Sequence, residues 1–437
     1  MTSQCADGLP VNLKSDMKIL IINTSEKTGG AAIAANRLAK ALRRSGQSVK
    51  MLVRDKSTDD VDVKSLGGTL RTRWQFLWER FTIWVANKFD REKLFQISFA
   101  NTGTDVTRLR EFVEADVVHL HWVNQGMMSL RDIERIVQSG KPIVWTMHDM
   151  WPFTGVCHYN DGCLNFLNGC GKCQFLHSDY ARDISNKVLG RKKAVYGSGN
   201  ICFVACSKWL RDIAQKSNLL KNNCVVDVPN TIDIDIFRQK DKESIRERYN
   251  LPLDKKMLLF SSAKINDARK GFVYLIEACN ILLATSPDLC KELGVIILGK
   301  AGEECSAIPF PSFVMDYIQD ENDLSDIYNA ADVFVTPSLQ DNLPNTVMEA
   351  LACGLPCVGF NVGGIPEMID HKVNGYVSEY RSAKDLADGI RWVLEEAQYD
   401  ELGKEALNKV GKCYTGEVVA ERYLQIYNGL VGEYGEK

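Results

Sequence analysis

The 437 residues exceed what one hydrophobic core supports, which points to two domains of roughly 200 residues each. A hydrophobic content of 45% and a charged content of 25% are those of a globular protein and exclude a disordered one. The net charge of −3 gives no argument for binding nucleic acid or an anionic membrane by bulk charge. No apolar run approaches the roughly 18 residues of a membrane span, and the opening MTSQCADGLPVNLKSD lacks the apolar stretch of a signal peptide. The fourteen cysteines lie mostly in apolar segments such as ALACGLPCVGF, which suits a reducing cytosol and a cytoplasmic protein.

In chain order, MKILIIN (17–23) is a continuous apolar run, as expected of a strand covered on both faces of a parallel sheet. It leads to Gly29 and Gly30, which open an amphipathic helix that stops at Gly46, the βα unit of a doubly wound fold. SVKMLVR, ADVVHLHW (115–122), PIVWTMHD (142–149) and NICFVACS (200–207) are further strands, and CVVDVPNTIDIDIF (224–237) closes the half. Between them, RTRWQFLWERFTIWVANKF (71–89) interleaves aromatic and basic residues at helical spacing. A membrane interface could take such a helix. Its tryptophans, however, are not confined to one face of the pattern, so packing on the sheet or capping an acceptor site is the expectation.

The second half restarts the pattern. KMLLFSSAK (256–264) is a strand, KGFVYLIEACNILLAT (270–285) a helix, and GVIILGKAG, SFVMDYI, DVFVTPS and LPCVGF are strands alternating with helices. The fold class expected is α/β, with two facing Rossmann-like domains, 1–228 and 229–415, around a cleft at their strand ends. A last helix, about 416–437, could return to either domain.

One stretch concentrates chemistry. SLQDNLPNTVMEALACG (338–354) follows a strand and should form a helix from about Asn345 to Cys353, ended by Gly354. Its N-terminus offers unpaired N–H groups to an anion. Glu349, one turn in, is placed for ribose hydroxyls, and Asp341, before the helix, for the far end of the same ligand. The blander alternative, that both acids only favour the helix start, stays open on spacing alone. Lys264 and Lys270, six positions apart around a strand-end loop, bring the charge a diphosphate needs, although surface lysines are commonly just solvated. Gly363 and Gly364 make a second glycine loop, followed by Glu367.

The order of these segments, a lysine pair before KGF, then DLSDIYNAADVFVTPS, an acid, seven residues, and EALACGLPCVGFNVGGIPEMI, resembles the donor domain of glycosyltransferase family four. That resemblance implies the GT-B fold and sugar transfer with retention from a UDP- or GDP-linked donor. The acceptor it implies is a glycan or lipid-linked glycan in surface polysaccharide synthesis, at the inner face of the membrane. It assigns Lys264 and Lys270 to the diphosphate, Asp341 to the transferred sugar and Glu349 to the ribose. The backbone amides of Asn342 and Leu343 fall at the sugar or phosphate, with Gly363 and Gly364 nearby. In the first half, Gly29 and Gly30 match the family's glycine loop and His148 its active-site histidine, while His121 is favoured over His119 for the cleft. Three positions depart from the pattern: Asp341 replaces a glutamate, Lys264 an arginine, and Pro344 a glycine that would keep its N–H. No cofactor is required for that chemistry. The rival classes are a nucleotide-sugar epimerase and a non-catalytic sugar-nucleotide binding protein.

Cys157, Cys163, Cys170 and Cys173, closing with a CxxC, carry a separate expectation of a structural zinc site, with reduced thiols and a disulfide as alternatives.

Overall fold

The computed structural model describes residues 16–435 apart from 301 and 317. The chain divides into two compact units. One comprises residues up to Ala205, Arg211–Val228 and the segment from Gly416 onward; the other comprises Cys206–Leu210 and Pro229–Thr415.

The first unit holds seven parallel strands: β1 (Lys18–Ser25), β2 (Ser48–Asp55), β3 (Val63–Ser65), β4 (Val117–Leu120), β5 (Ile143–Met147), β6 (Ile201–Ala205) and β7 (Val225–Asp227), in the order β3-β2-β1-β4-β5-β6-β7. Ile19 to Ile22 are all buried, which explains their unbroken apolarity: helices cover both faces of the sheet. The chain reverses direction across the sheet between β1 and β4, the switch point where open α/β sheets place ligands. Helix α1 (Gly30–Arg44) starts there after β1. The C-terminal helix Gly416–Gly435 packs in this unit, where Val419, Ala420, Tyr423 and Tyr427 join the core of Ile19, Ile21, Leu38 and Val144.

The second unit holds β8 (Lys256–Lys264), β9 (Leu293–Lys300), β10 (Ser312–Met315), β11 (Val333–Thr336), β12 (Cys357–Phe360) and β13 (Gly375–Ser378), parallel and in the order β10-β9-β8-β11-β12-β13. Its switch point lies between β8 and β11. The loops leaving those strands carry the lysine pair and the first of the two acids.

Three local expectations change. The long run from Cys224 yields only the three-residue strand β7, and Pro229, without an N–H, starts the second unit. Strands β3 and β13 went unread because short edge strands carry too few residues to show a pattern. The aromatic segment forms helix α2 (Thr69–Ala86), but with Trp74, Leu77, Trp78 and Phe81 exposed rather than packed. Gln75, Glu79 and Arg80 take the inner face instead, because the loops beneath present backbone groups that those polar side chains satisfy.

Candidate functional site

In the second unit the turn Ala268–Lys270 follows β8 and docks on the segment after β11, with the Leu339 amide donating to the Arg269 carbonyl at 2.7 Å. Gly271 makes the approach possible: it sits at φ 69°, and a Cβ there would lie 1.8 Å from the Pro337 oxygen. The docked turn carries Lys270, whose Nζ donates to Asp341 Oδ2 at 2.6 Å. Lys264, at the end of β8, is exposed and stands beside Lys300 in the strand pairing.

Beyond Asp341, the chain enters the helix Asn345–Ala352, with Pro344 at the cap position and no side chain capping the first turn. Gly354 ends it at φ 69°, the left-handed closure that the sequence pattern implies. The second glycine loop lies directly against Asp341 and Asn342. A Cβ on Gly363, at φ 62°, would fall 1.7 Å from the Asp341 carbonyl oxygen, and one on Gly364 would fall 1.9 Å from that of Asn342. The Gly364 amide also donates to the Asp341 carbonyl at 3.4 Å. Asp341, Asn342, Lys270, Gly363 and Gly364 therefore form one backbone-locked cluster at the switch point, with Leu343 buried behind it.

Glu349 is only 3% exposed, and its Oε2 accepts from the Tyr328 hydroxyl at 2.9 Å. Tyr328 lies 21 positions earlier on the helix Glu321–Ala330 and is fully buried, so it aims the carboxylate. Nothing local in the sequence announces that contact. Ser207 was missed for the same reason: its hydroxyl donates to the Asn342 side-chain carbonyl at 2.6 Å from 135 positions away. Glu367 is not part of the cluster: its carboxylate accepts the Lys208 and Trp209 amides at 2.9 and 2.7 Å.

In the first unit, Gly29 (φ 92°) and Gly30 are exposed at the start of α1, with open space where a Cβ on Gly29 would sit. His119 and His121 occupy the end of β4, and His148 follows β5. His119 is fully buried, bonded through Nε2 to the Thr146 hydroxyl and through Nδ1 to the Tyr427 hydroxyl, each at 2.7 Å. Its role is to fasten the C-terminal helix. His121 Nδ1 pairs with His148 Nε2 at 2.9 Å, so these two rings act together at the strand ends. Burial holds the His119 ring down to about 3 and the His148 ring down to about 4; burial, with His119 and His148 adjacent, holds His121 well below the usual range. All three are neutral imidazoles at neutral pH.

Among the described residues no three His, Cys, Asp or Glu side chains are placed to hold a metal ion. Cys170 Sγ accepts the Gly155 amide at 3.2 Å. Burial pushes the Cys157 thiol up to about 12 and the Cys173 thiol up to about 11. Cys157, Cys163, Cys170 and Cys173 are all free thiols, none joined in a disulfide.

Two family models match the chain: Glycosyltransferase Family 4 over residues 28–236 and Glycosyl transferases group 1 over residues 255–396. N-acetyl-alpha-D-glucosaminyl L-malate synthase of Bacillus anthracis is 23% identical over 215 residues, 47% of this chain and 54% of that protein. N,N'-diacetylbacillosaminyl-diphospho-undecaprenol alpha-1,3-N-acetylgalactosaminyltransferase of Campylobacter jejuni is 26% identical over 200 residues, 45% of this chain and 50% of that protein. The chain thus spans about half the length of these curated relatives. The crystal structure of Anabaena HepE in complex with UDP shares the fold at a TM-score of 0.62 and 14% identity, covering 94% of this chain and 100% of the other.

Proposed function

Because the chain belongs to glycosyltransferase family 4 and has the GT-B fold of two parallel-sheet Rossmann-like units, we propose that it transfers a sugar, with retention, from a UDP- or GDP-linked donor to a hydroxyl of a glycan or lipid-linked glycan. The setting proposed is surface polysaccharide synthesis at the inner face of a membrane. The observation that carries this reading is the locked cluster of Lys270, Asp341, Asn342 and the two glycines at the switch point between β8 and β11. It combines a cation, a carboxylate and a helix start within one loop layer, the set that a sugar joined to a diphosphate requires. The relatives favour it too: one structural neighbour is a UDP complex, and the Campylobacter relative is named for a diphospho-undecaprenol acceptor.

In the proposed reaction, the bond from the anomeric carbon to the β-phosphate oxygen breaks and that oxygen keeps the electron pair. The acceptor oxygen bonds the anomeric carbon on the same face, and its proton passes to the departing phosphate. Lys270 and Lys264 stabilise the charge that grows on the leaving diphosphate, together with the N–H groups that open the helix Asn345–Ala352. Asp341 holds the sugar hydroxyls and Glu349 the ribose. Lys270 already pairs with Asp341, so donor binding must share or split this contact.

Calorimetry with UDP, GDP and their hexose conjugates tests the assignment. Glu349→Ala should weaken the free nucleotide and the full donor alike, by roughly tenfold or more. Asp341→Asn should spare or tighten the free nucleotide, since it releases Lys270, and weaken only the sugar-bearing donor. Folded variants with unchanged donor binding would refute the site. Sugar interconversion without acceptor would favour an epimerase instead.

A further inference from the structure

Helix α2 is amphipathic in the reverse sense to an ordinary surface helix. Its inner face is polar and bonded. Gln75 Nε2 donates to the Gly103 carbonyl at 2.6 Å, and Glu79 Oε1 accepts the Phe99 and Ala100 amides at 3.0 Å each. Arg80 donates to the Leu94 and Ile97 carbonyls and pairs with Glu79, and Ile83 adds a single fully buried apolar contact. The outer face is apolar: Leu70, Trp74, Leu77, Trp78, Phe81 and Val85, between 42% and 84% exposed, recur at spacings of three and four along one side. Trp74 and Trp78 stack at 5.4 Å with 9° between their planes. A continuous apolar stripe turned to solvent on a rigidly fastened helix marks an interaction surface rather than a core face.

Charge around the stripe narrows what covers it. Arg71 and Arg73 are exposed in the first turns, and Lys88 and Arg91 are exposed just past the end. Beside α2, at Thr82, a groove of about 350 Å³ has an apolar floor of Phe99, Leu130 and Val188 and is rimmed by the cations Lys187 and Arg191. Aromatic side chains flanked by arginine and lysine are the composition of a helix lying in the plane of a bilayer interface, with rings at the acyl boundary and cations at the phosphates. No helix among the described residues is long and apolar enough to cross a membrane.

We propose that the outer face of α2 is a peripheral docking site for an anionic phospholipid bilayer, with Trp74, Leu77, Trp78 and Phe81 entering the interface and Arg71, Arg73, Lys88 and Arg91 meeting the headgroup phosphates. This rests on the reading of a membrane-side acceptor for its purpose, but it is measured without donor or acceptor. A failure here leaves transfer to a soluble glycan standing, and a failure of donor binding leaves vesicle binding untouched.

The full-length protein is sedimented with vesicles of phosphatidylglycerol and phosphatidylcholine, and with phosphatidylcholine alone. Binding should be at least tenfold tighter to the anionic vesicles and should fall steeply between 0.1 and 0.5 M salt, as the Debye length shortens from about 10 Å at 0.1 M toward about 3 Å at 1 M. Acyl chains brominated near the headgroup should quench the tryptophan emission of the unaltered protein, a readout that needs no variant. Trp78→Ser with Phe81→Ser should reduce binding tenfold or more, and Arg71→Gln with Arg73→Gln should remove much of the preference for anionic lipid, both leaving UDP binding unchanged. Absence of vesicle binding, or binding indifferent to all four substitutions, would overturn the proposal. So would a dimer that dissociates when Trp78 and Phe81 are replaced, since the stripe would then belong to a second copy.

Discussion

At the scale of single residues, the candidate site depends on contacts made by backbone as much as by charge. Gly363 is the sharpest case, because any Cβ there collides with the Asp341 carbonyl while the residue itself is held at positive φ. Gly363→Ala should therefore displace Asp341 and Asn342 and lower affinity for a sugar-bearing donor by at least tenfold. Free nucleotide should bind closer to normal, as a calorimetric comparison would reveal. Tyr328→Phe probes the other acid. It strips a hydroxyl donor from a carboxylate that is almost fully buried, a loss of about 1.5–3 kcal/mol for a bond to a charged acceptor. We expect a lower melting temperature for the second unit and weaker binding of both UDP and UDP-sugar; unchanged nucleotide binding would mean that Tyr328 does not aim Glu349 at the ribose. Lysine and aspartate were legible at their positions in the sequence, whereas their 2.6 Å pairing was not, because it joins loops 71 positions apart.

At the scale of elements, the ends of β4 and β5 carry His119, His121 and His148 as neutral rings in a buried layer. Their folded pKa values lie below the ordinary value of 6.5, so the unfolded state takes up more protons as the pH falls. Stability of the first unit should accordingly be full above pH 6.5 and decline as the pH falls from 6.5 toward about 3. Urea unfolding at pH 7.5, 6, 5 and 4 would trace the decline, and His148→Gln should make it shallower. A profile flat to pH 4 in the unaltered protein would contradict the buried neutral layer. Helix α2 shows how an element's existence and its orientation come from different sources. Its spacing announced a helix, but which face turned inward was set by the carbonyls and amides of the loops at Leu94–Gly103, which bond Gln75, Glu79 and Arg80. An aromatic-rich pattern looks the same whether its rings are buried or exposed.

At the scale of the whole molecule, the C-terminal helix closes the first unit from the far end of the chain. Deleting residues from Gly416 onward removes Val419, Ala420, Tyr423, Leu424 and Tyr427 from that core and leaves His119 and Thr146 without their tyrosine partners. The four larger of these buried side chains, at about 1.5–3 kcal/mol each, amount to a loss on the scale of a whole domain's stability. The truncated protein should lose the first unit's calorimetric transition while the second unit still melts cooperatively. Two intact transitions would show that the helix is dispensable. What the sequence determined by itself was everything periodic or local: two runs of alternating buried strands and helices, the glycine that ends the helix after Ala352, and the acids and lysines at strand ends. Parallel sheets are covered on both faces, so their strands must be apolar throughout, and that is visible without coordinates. The tertiary structure alone decided which unit the last helix joined, which carboxylate was paired and which was aimed by a tyrosine, and that the aromatic stripe faces outward. Each of these depends on groups far apart in the chain meeting at a few ångströms, and no spacing along one strand or helix encodes that meeting.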